Sequence, residues 1–264
     1  MNYREICLMV TDIVRQTADL IRKEAKNRSG FDLQSKGRHN YVTYVDTLAE
    51  QYLVNRLAML IKDSGFIAEE GSSTRKGEKY NWIIDPIDGT TNFIHGLPPY
   101  AISVALMEEA EIVIGVVYEL GLDECFYAWK GSGSYLNGTD IQVSSTPKVN
   151  DSLIATGFPY TNFTYLEEFM DSLRYFMENS HGLRRLGSAA TDIAYVACGR
   201  FDAFYEYGLN PWDVAAATFI VQQAGGRTSD FTGGHDYLFG GEIISSNHNV
   251  FEEFQAIVQK LMKR

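Results

Sequence analysis

The chain has 264 residues, 45% of them hydrophobic, which is enough to bury a large core in one domain or in two closely apposed halves. A formal net charge of −11 argues against a nucleic-acid polymer or an anionic membrane as the main partner, since both demand a basic surface. A small phosphorylated ligand stays open, because a bound cation reverses the local sign.

Cys7, Cys125 and Cys198 stand apart, odd in number and without metal-ligand spacing, and read as core or surface thiols of a reducing cytosol. From Met1 the chain enters a charged amphipathic pattern, so neither a signal peptide nor a membrane span is expected. Ile6, Met9, Val10, Ile13, Ile21 and Ala25 recur at helical spacing until Asn27-Arg28-Ser29-Gly30. A second helix is predicted from Thr43 to Ser64, burying Val45, Leu48, Leu53, Leu57 and Ile61, with Gly65 as its stop. Short strands follow at Phe66–Glu69 and Tyr80–Asp85. Ile102–Met107, Ile112–Glu119, Glu124–Trp129 and Ile141–Val143 then read as an antiparallel meander, with Gly131 to Gly138 as a hairpin turn. The second half mixes strands at Leu153–Thr156, Asp202–Tyr205 and near Ile243 with helices at Leu166–Met177, Ala189–Cys198, Trp212–Gln223 and Val250–Met262. The pattern gives an α+β fold.

The most informative stretch is Trp82-Ile83-Ile84-Asp85-Pro86-Ile87-Asp88-Gly89-Thr90-Thr91-Asn92-Phe93. A β-branched and aromatic run ends at Asp85, and Pro86 is expected to turn the chain sharply, so that Asp85 and Asp88 address one locus. Gly89 permits close backbone approach, and a helical turn from Gly89 to Phe93 would aim free N–H groups at the same place. Hard oxygen donors suit Mg²⁺ rather than Zn²⁺, which asks for His or Cys. An ordinary acidic turn would also account for Asp-Pro-x-Asp on its own.

Asp85 to Phe93, continuing to His95-Gly96, resembles the signature of the inositol monophosphatase family of Mg²⁺-dependent, Li⁺-sensitive sugar-phosphate phosphatases. Trp212-Asp213-Val214-Ala215-Ala216-Ala217, running to Ala224-Gly225-Gly226, resembles a second signature, and Ala68-Glu69-Glu70-Gly71-Ser72 lies where the family carries a Glu pair. Three matches in the family's order span most of the chain. They imply a layered αβαβα sandwich, one catalytic domain over 1–264 with halves of about 1–145 and 146–264, a homodimer and a cytoplasmic location. Ala68, Ala216 and Gln223 depart from the usual pattern without removing an acid.

By resemblance, Glu69, Asp85 and the Ile87 carbonyl bind a first metal, and Asp85, Asp88 and Asp213 bind a second. Four carboxylates carry about four negative charges, which two Mg²⁺ ions neutralise; the family allows two or three ions. Taken alone, Asp213 is also a helix N-terminal acid favoured by the dipole. Asp46 and Thr90 match the pair that orients or deprotonates the attacking water, with Glu69 contributing to catalysis from the metal site. Asp88, Gly89, Thr90, Gly187, Ala189 and Glu206 match substrate contacts, and a carboxylate such as Glu206 accepts from two adjacent hydroxyls. Lys36 in a polar loop and Glu70 are further loop candidates, while His95, Arg184 and Arg185 read as structural.

The resulting expectation is a Mg²⁺-dependent phosphomonoesterase for myo-inositol monophosphate or a similar polyol phosphate. Relatives that hydrolyse fructose 1,6-bisphosphate, histidinol phosphate or 3′-phosphoadenosine 5′-phosphate keep those substrates as alternatives, and a regulatory interaction protein that retains the fold is the alternative of another class.

Overall fold

The computed structural model describes residues 1–26, 44–160 and 162–263, together with the backbone of two short paired strands, β1 (Gln34–Gly37) and β2 (Asn40–Val42). The predicted helix stop at 27–30 and the predicted start at Thr43 lie outside the described residues.

Two helices form the first layer. In α1 (Tyr3–Ala25) a stripe of Val10, Ile13, Val14, Ala18 and Ile21 is buried, and Asn2 caps the start by accepting from the Glu5 N–H at 3.3 Å. α2 (Tyr44–Leu60) ends four residues before the predicted boundary. Ser64 folds back to donate its N–H and hydroxyl to the Ile61 carbonyl, and Asp63 adopts a left-handed φ of 63° that no helix continues. Gly65 is therefore not the helix stop. It opens the next strand, where an added Cβ would lie 2.0 Å from the Gly77 nitrogen.

These helices cover a seven-stranded sheet, ordered in sequence: β3 (Gly65–Ala68), β4 (Tyr80–Asp88), β5 (Ala101–Glu108), β6 (Glu111–Glu119), β7 (Glu124–Trp129), β8 (Ser134–Leu136) and β9 (Thr139–Ile141). Only the β3–β4 pair is parallel. The meander is present, but Gly131 to Gly138 is not one turn: it carries β8, and the following strand ends at Ile141 instead of beginning there. Alternate residues face opposite ways, as the two-residue period requires. Trp82, Ile84, Ile102 and Val104 join the core under α1 and α2, while Ile83, Ala101 and Ala105 join a second core on the other face.

That second core holds α5 (Ala189–Ala197) and α6 (Pro211–Gln223). α6 is buried on every side from Val214 to Val221, as expected of a helix with sheets on both faces. Gly115 on β6 makes this close packing possible, since a Cβ there would lie 2.5 Å from the Ala216 carbonyl oxygen. A five-stranded sheet completes the sandwich, in the order β11 (Gly182–Arg184), β10 (Leu153–Thr156), β12 (Ala203–Tyr207), β14 (Glu242–Ser246), β13 (Arg227–Ser229). The sequence pattern missed β11 and β13, which are three-residue edge strands with no apolar alternation to reveal them. Outside lie α4 (Leu166–Asn179) and α7 (Phe251–Leu261), over a third core built on Phe169, Phe176, Tyr205 and Phe254. The layers run αβαβα, as the α+β expectation holds. Among the described residues no helix is long and apolar enough to cross a membrane.

Candidate active site

The site begins with an irregularity in β4. This strand does not turn at Pro86; it continues to Asp88 through a bulge, with Asp85 opposite Ser103 and Asp88 opposite Ala101. The aspartates are three positions apart on β4, where their partners are only two positions apart on β5. In a regular strand residues 85 and 88 would face opposite ways, and the extra residue restores one common face. Proline tolerates this place because a bulge does not require its missing N–H. The turn chemistry is local: the Asp85 Oδ1 accepts from the Ile87 N–H at 2.9 Å.

Both aspartates thereby face the layer that holds α5 and α6. Asp213, third residue of α6 behind Pro211, uses one oxygen to accept from the Asn210 N–H at 2.7 Å. It therefore does serve its helix terminus, and it also reaches the cleft. Carboxylate oxygens of Asp85, Asp88 and Asp213 lie within 4.8 Å of one another, an all-oxygen cluster that could hold a metal ion. Burial, followed by the charges of Glu69, Asp88 and Asp213, raises the Asp85 pKa well above the ordinary carboxylate range. Burial pushes Asp213 up to about 7, with the Asp88 charge adding and the bonds from Asn210 opposing. Asp88 rises to about 6, again chiefly by burial, against hydrogen bonds from Ser188, Ala190 and Ala189 and the charge of Arg185. Crowded carboxylates of this kind call for a cation, and hard oxygen donors fit a hard divalent one.

α3 (Thr90–His95) starts at Gly89, whose φ of 90° suits glycine and whose added Cβ would lie 3.0 Å from the Gly187 carbonyl oxygen. The Thr90 hydroxyl lies 3.0 Å from the Ile87 carbonyl oxygen and 3.2 Å from the Asp46 Oδ1. With one proton, it can donate to only one of them at a time. Asp46 is fully buried behind Thr90 on α2. Glu69 follows β3 and lines the cleft with Asp85 and Ile87, and its charge is one of the causes that raise the Asp85 pKa. Glu70 does not line the cleft; its N–H donates to Glu50 at 2.7 Å. The Lys36 side chain falls outside the described residues.

The cleft has a volume of about 210 Å³. Gly187, Ser188 and Ala189 line it at the start of α5, and Ser188 donates to Asp88 at 2.6 Å. Glu206 is a strand residue of β12, only 7% exposed, and its carboxylate lies over Gly157, where a Cβ would sit 2.0 Å from the Oε1. Burial, then the charges of Asp192, Asp213 and Asp88, raises its pKa well above normal.

Sequence reasoning passed over two lining residues. Asp192 on α5 is 1% exposed and its Oδ1 has no hydrogen-bond partner. Its place three residues past Ala189 on a helix was the signal available. Arg185 also lines the cleft, its guanidinium 5.2 Å from the ring centroids of both Phe158 and Tyr160. It is the one cation among the described lining residues, against six carboxylates, so the purely structural reading of Arg185 is incomplete. His95 and Arg184 are exposed and outside the cleft, in line with that reading for them.

The profile of the inositol monophosphatase family matches residues 2–263, nearly the whole chain. The chain belongs to the inositol monophosphatase family. By family it is an inositol-1-monophosphatase-like phosphoric monoester hydrolase. The inositol-1-monophosphatase of Mesorhizobium japonicum is 39% identical over 87% of this chain and 85% of its own length. The Nus factor SuhB of Pseudomonas aeruginosa is 38% identical over 93% of this chain and 92% of its own. The crystal structure of the extragenic suppressor protein SuhB from Bartonella henselae superposes with a TM-score of 0.91 at 33% identity, covering 98% of this chain and 99% of that one.

Proposed function

We propose that the protein is a Mg²⁺-dependent phosphomonoesterase that releases phosphate from myo-inositol monophosphate or a closely similar polyol phosphate. The observation that carries this reading is the convergence of Asp85, Asp88 and Asp213 oxygens within 4.8 Å, in a cleft that the buried acceptor Glu206 also lines. Asp85, Asp88, Asp213, Glu69 and the Ile87 carbonyl would hold two or three Mg²⁺ ions. When bound, these supply positive charge that draws in the phosphate and acidifies an attacking water.

The chain's own groups account for the remainder of the reaction. Thr90 donates its proton to Asp46 and so turns a lone pair toward an incoming water, which it orients and whose proton it can pass on. Gly89, Thr90, Gly187 and Ala189, which line the cleft, would contact the phosphate and substrate. Glu206 accepts from vicinal hydroxyls of the leaving group, a bond that a buried carboxylate makes strongly. We also propose that both halves, 1–145 and 146–264, form one catalytic unit, as Asp88 from the first and Ser188 and Asp213 from the second meet in the cleft. A cytoplasmic homodimer inhibited by Li⁺ completes the reading.

A phosphate-release panel with Mg²⁺ tests the substrate. Inositol monophosphate should be turned over faster than fructose 1,6-bisphosphate, histidinol phosphate and 3′-phosphoadenosine 5′-phosphate, and preference for one of these reassigns it.

One observation favours a second reading: the relative at 38% identity is named Nus factor SuhB. A role in association with transcription machinery would not need hydrolysis. Specific capture of a transcription component by Asp88→Asn protein would support that role.

A further inference from the structure

We propose that Glu50 is a positioning residue that holds Glu69 at the metal site. The inference rests on the hydrolytic reading above. Glu50 lies on α2 one turn after Asp46, and both acids are fully buried on the same side of the helix. Asp46 meets Thr90, whereas Glu50 meets the turn that follows Glu69.

Its carboxylate uses both oxygens. One accepts from the Glu70 N–H at 2.7 Å and the other from the Ser72 N–H at 2.7 Å. Between these donors Gly71 adopts a left-handed φ of 71°, so the chain folds around the carboxylate and presents two N–H groups to it. Glu69 immediately precedes this clamped turn, and its own N–H donates to the Ile84 carbonyl at 3.2 Å, next to Asp85. Glu69 is thus fixed from one side by the backbone of β4 and from the other by Glu50.

One face of α2 thereby sets both the water-orienting pair and the acid that meets the metal. Glu50 does not line the cleft, and both of its oxygens face the Glu70–Ser72 turn rather than the acidic cluster. Its effect on metal must pass through Glu69. Glu50→Gln would leave one acceptor and turn an NH₂ toward the second N–H, donor against donor.

The test titrates EDTA-stripped wild type, Glu50→Gln, Glu69→Gln and the double variant with Mn²⁺ alone by calorimetry. Glu50→Gln should weaken the Mn²⁺ dissociation constant by about 10-fold or more, within the range for supporting groups behind a ligand. The double variant should bind no more weakly than Glu69→Gln, since the clamp has no other route to the metal. A loss of packing alone would add to the Glu69 effect. Unchanged Mn²⁺ affinity in Glu50→Gln, or losses that add fully in the double variant, overturns the inference. Wild type that binds no Mn²⁺ removes the hydrolytic reading and the inference with it. Glu50→Asp, which keeps the buried charge but cannot reach both donors, carries the same test if Glu50→Gln does not fold.

Discussion

The Ser188 hydroxyl donates to the Asp88 carboxylate over 2.6 Å, joining the end of β4 to the start of α5 across one hundred residues of chain. The same Asp88 oxygen accepts from the Ala190 N–H at 2.7 Å. Asp88 thus caps a helix of the second half with one oxygen and leaves the other for the acidic cluster.

Asp88→Asn should therefore separate folding from activity. The amide oxygen can still accept from Ser188 and Ala190, while the cluster loses a charge. Turnover is expected to fall by at least about 100-fold with little change in melting temperature. Near-wild-type activity at limiting Mg²⁺ would remove Asp88 from the metal site.

Thr90→Ala should act on chemistry and spare the metal. The hydroxyl that can donate to Asp46 or to the Ile87 carbonyl is lost, and no carboxylate changes. Single-turnover hydrolysis is expected to slow by roughly 100-fold at an unchanged Mg²⁺ half-saturation. An unchanged single-turnover rate takes Thr90 out of the mechanism.

Gly157→Ala tests Glu206 without touching its charge. The new methyl would need the space now held by the Glu206 carboxylate, 2.0 Å from its Oε1, so Glu206 must move. Loss of a charge-assisted bond of about 1–3 kcal/mol predicts an increase of some 5- to 150-fold in KM/kcat for inositol monophosphate. A phosphomonoester lacking the vicinal diol should lose much less. Equal losses on both substrates would place Glu206 in the scaffold.

The raised carboxyls make stability pH-dependent in a specified direction. Without metal, folding lifts Asp88 to about 6 and Asp213 to about 7 from 3.8, so the folded state holds protons that the unfolded state releases. Their contribution to stability is complete below about pH 4 and is lost as the pH rises through 6 and 7. Mg²⁺ competes with those protons. The Mg²⁺-induced rise in melting temperature should therefore be larger at pH 8 than at pH 5.5, and a rise that is equal or smaller at pH 8 contradicts this electrostatic account.

Much of this architecture was legible because long apolar patterns reveal themselves. α1 shows its stripe, and β5 and β6 show the strong apolar character of strands buried on both faces. The acids of the cleft were legible through resemblance, since Asp213 by itself reads as a helix-start acid and Glu206 as a loop acid. What escaped depends on tertiary context. A bulge at Pro86 cannot be told from a turn until β5 is placed beside it, because only the Ser103 and Ala101 partners show the extra residue. Glu50 and Asp192 look like ordinary helix acids in sequence. Their meaning comes from their surroundings: two N–H groups of the Glu70–Ser72 turn for Glu50, and the cleft that Asp192 lines.

The most direct test of the central claim is phosphate release from inositol monophosphate by EDTA-stripped protein as Mg²⁺ is returned. The account predicts no release above the blank without metal, saturable recovery with Mg²⁺, and no such recovery in Asp213→Asn. Release that persists without a divalent ion, or that Asp213→Asn supports as well as wild type, would contradict it.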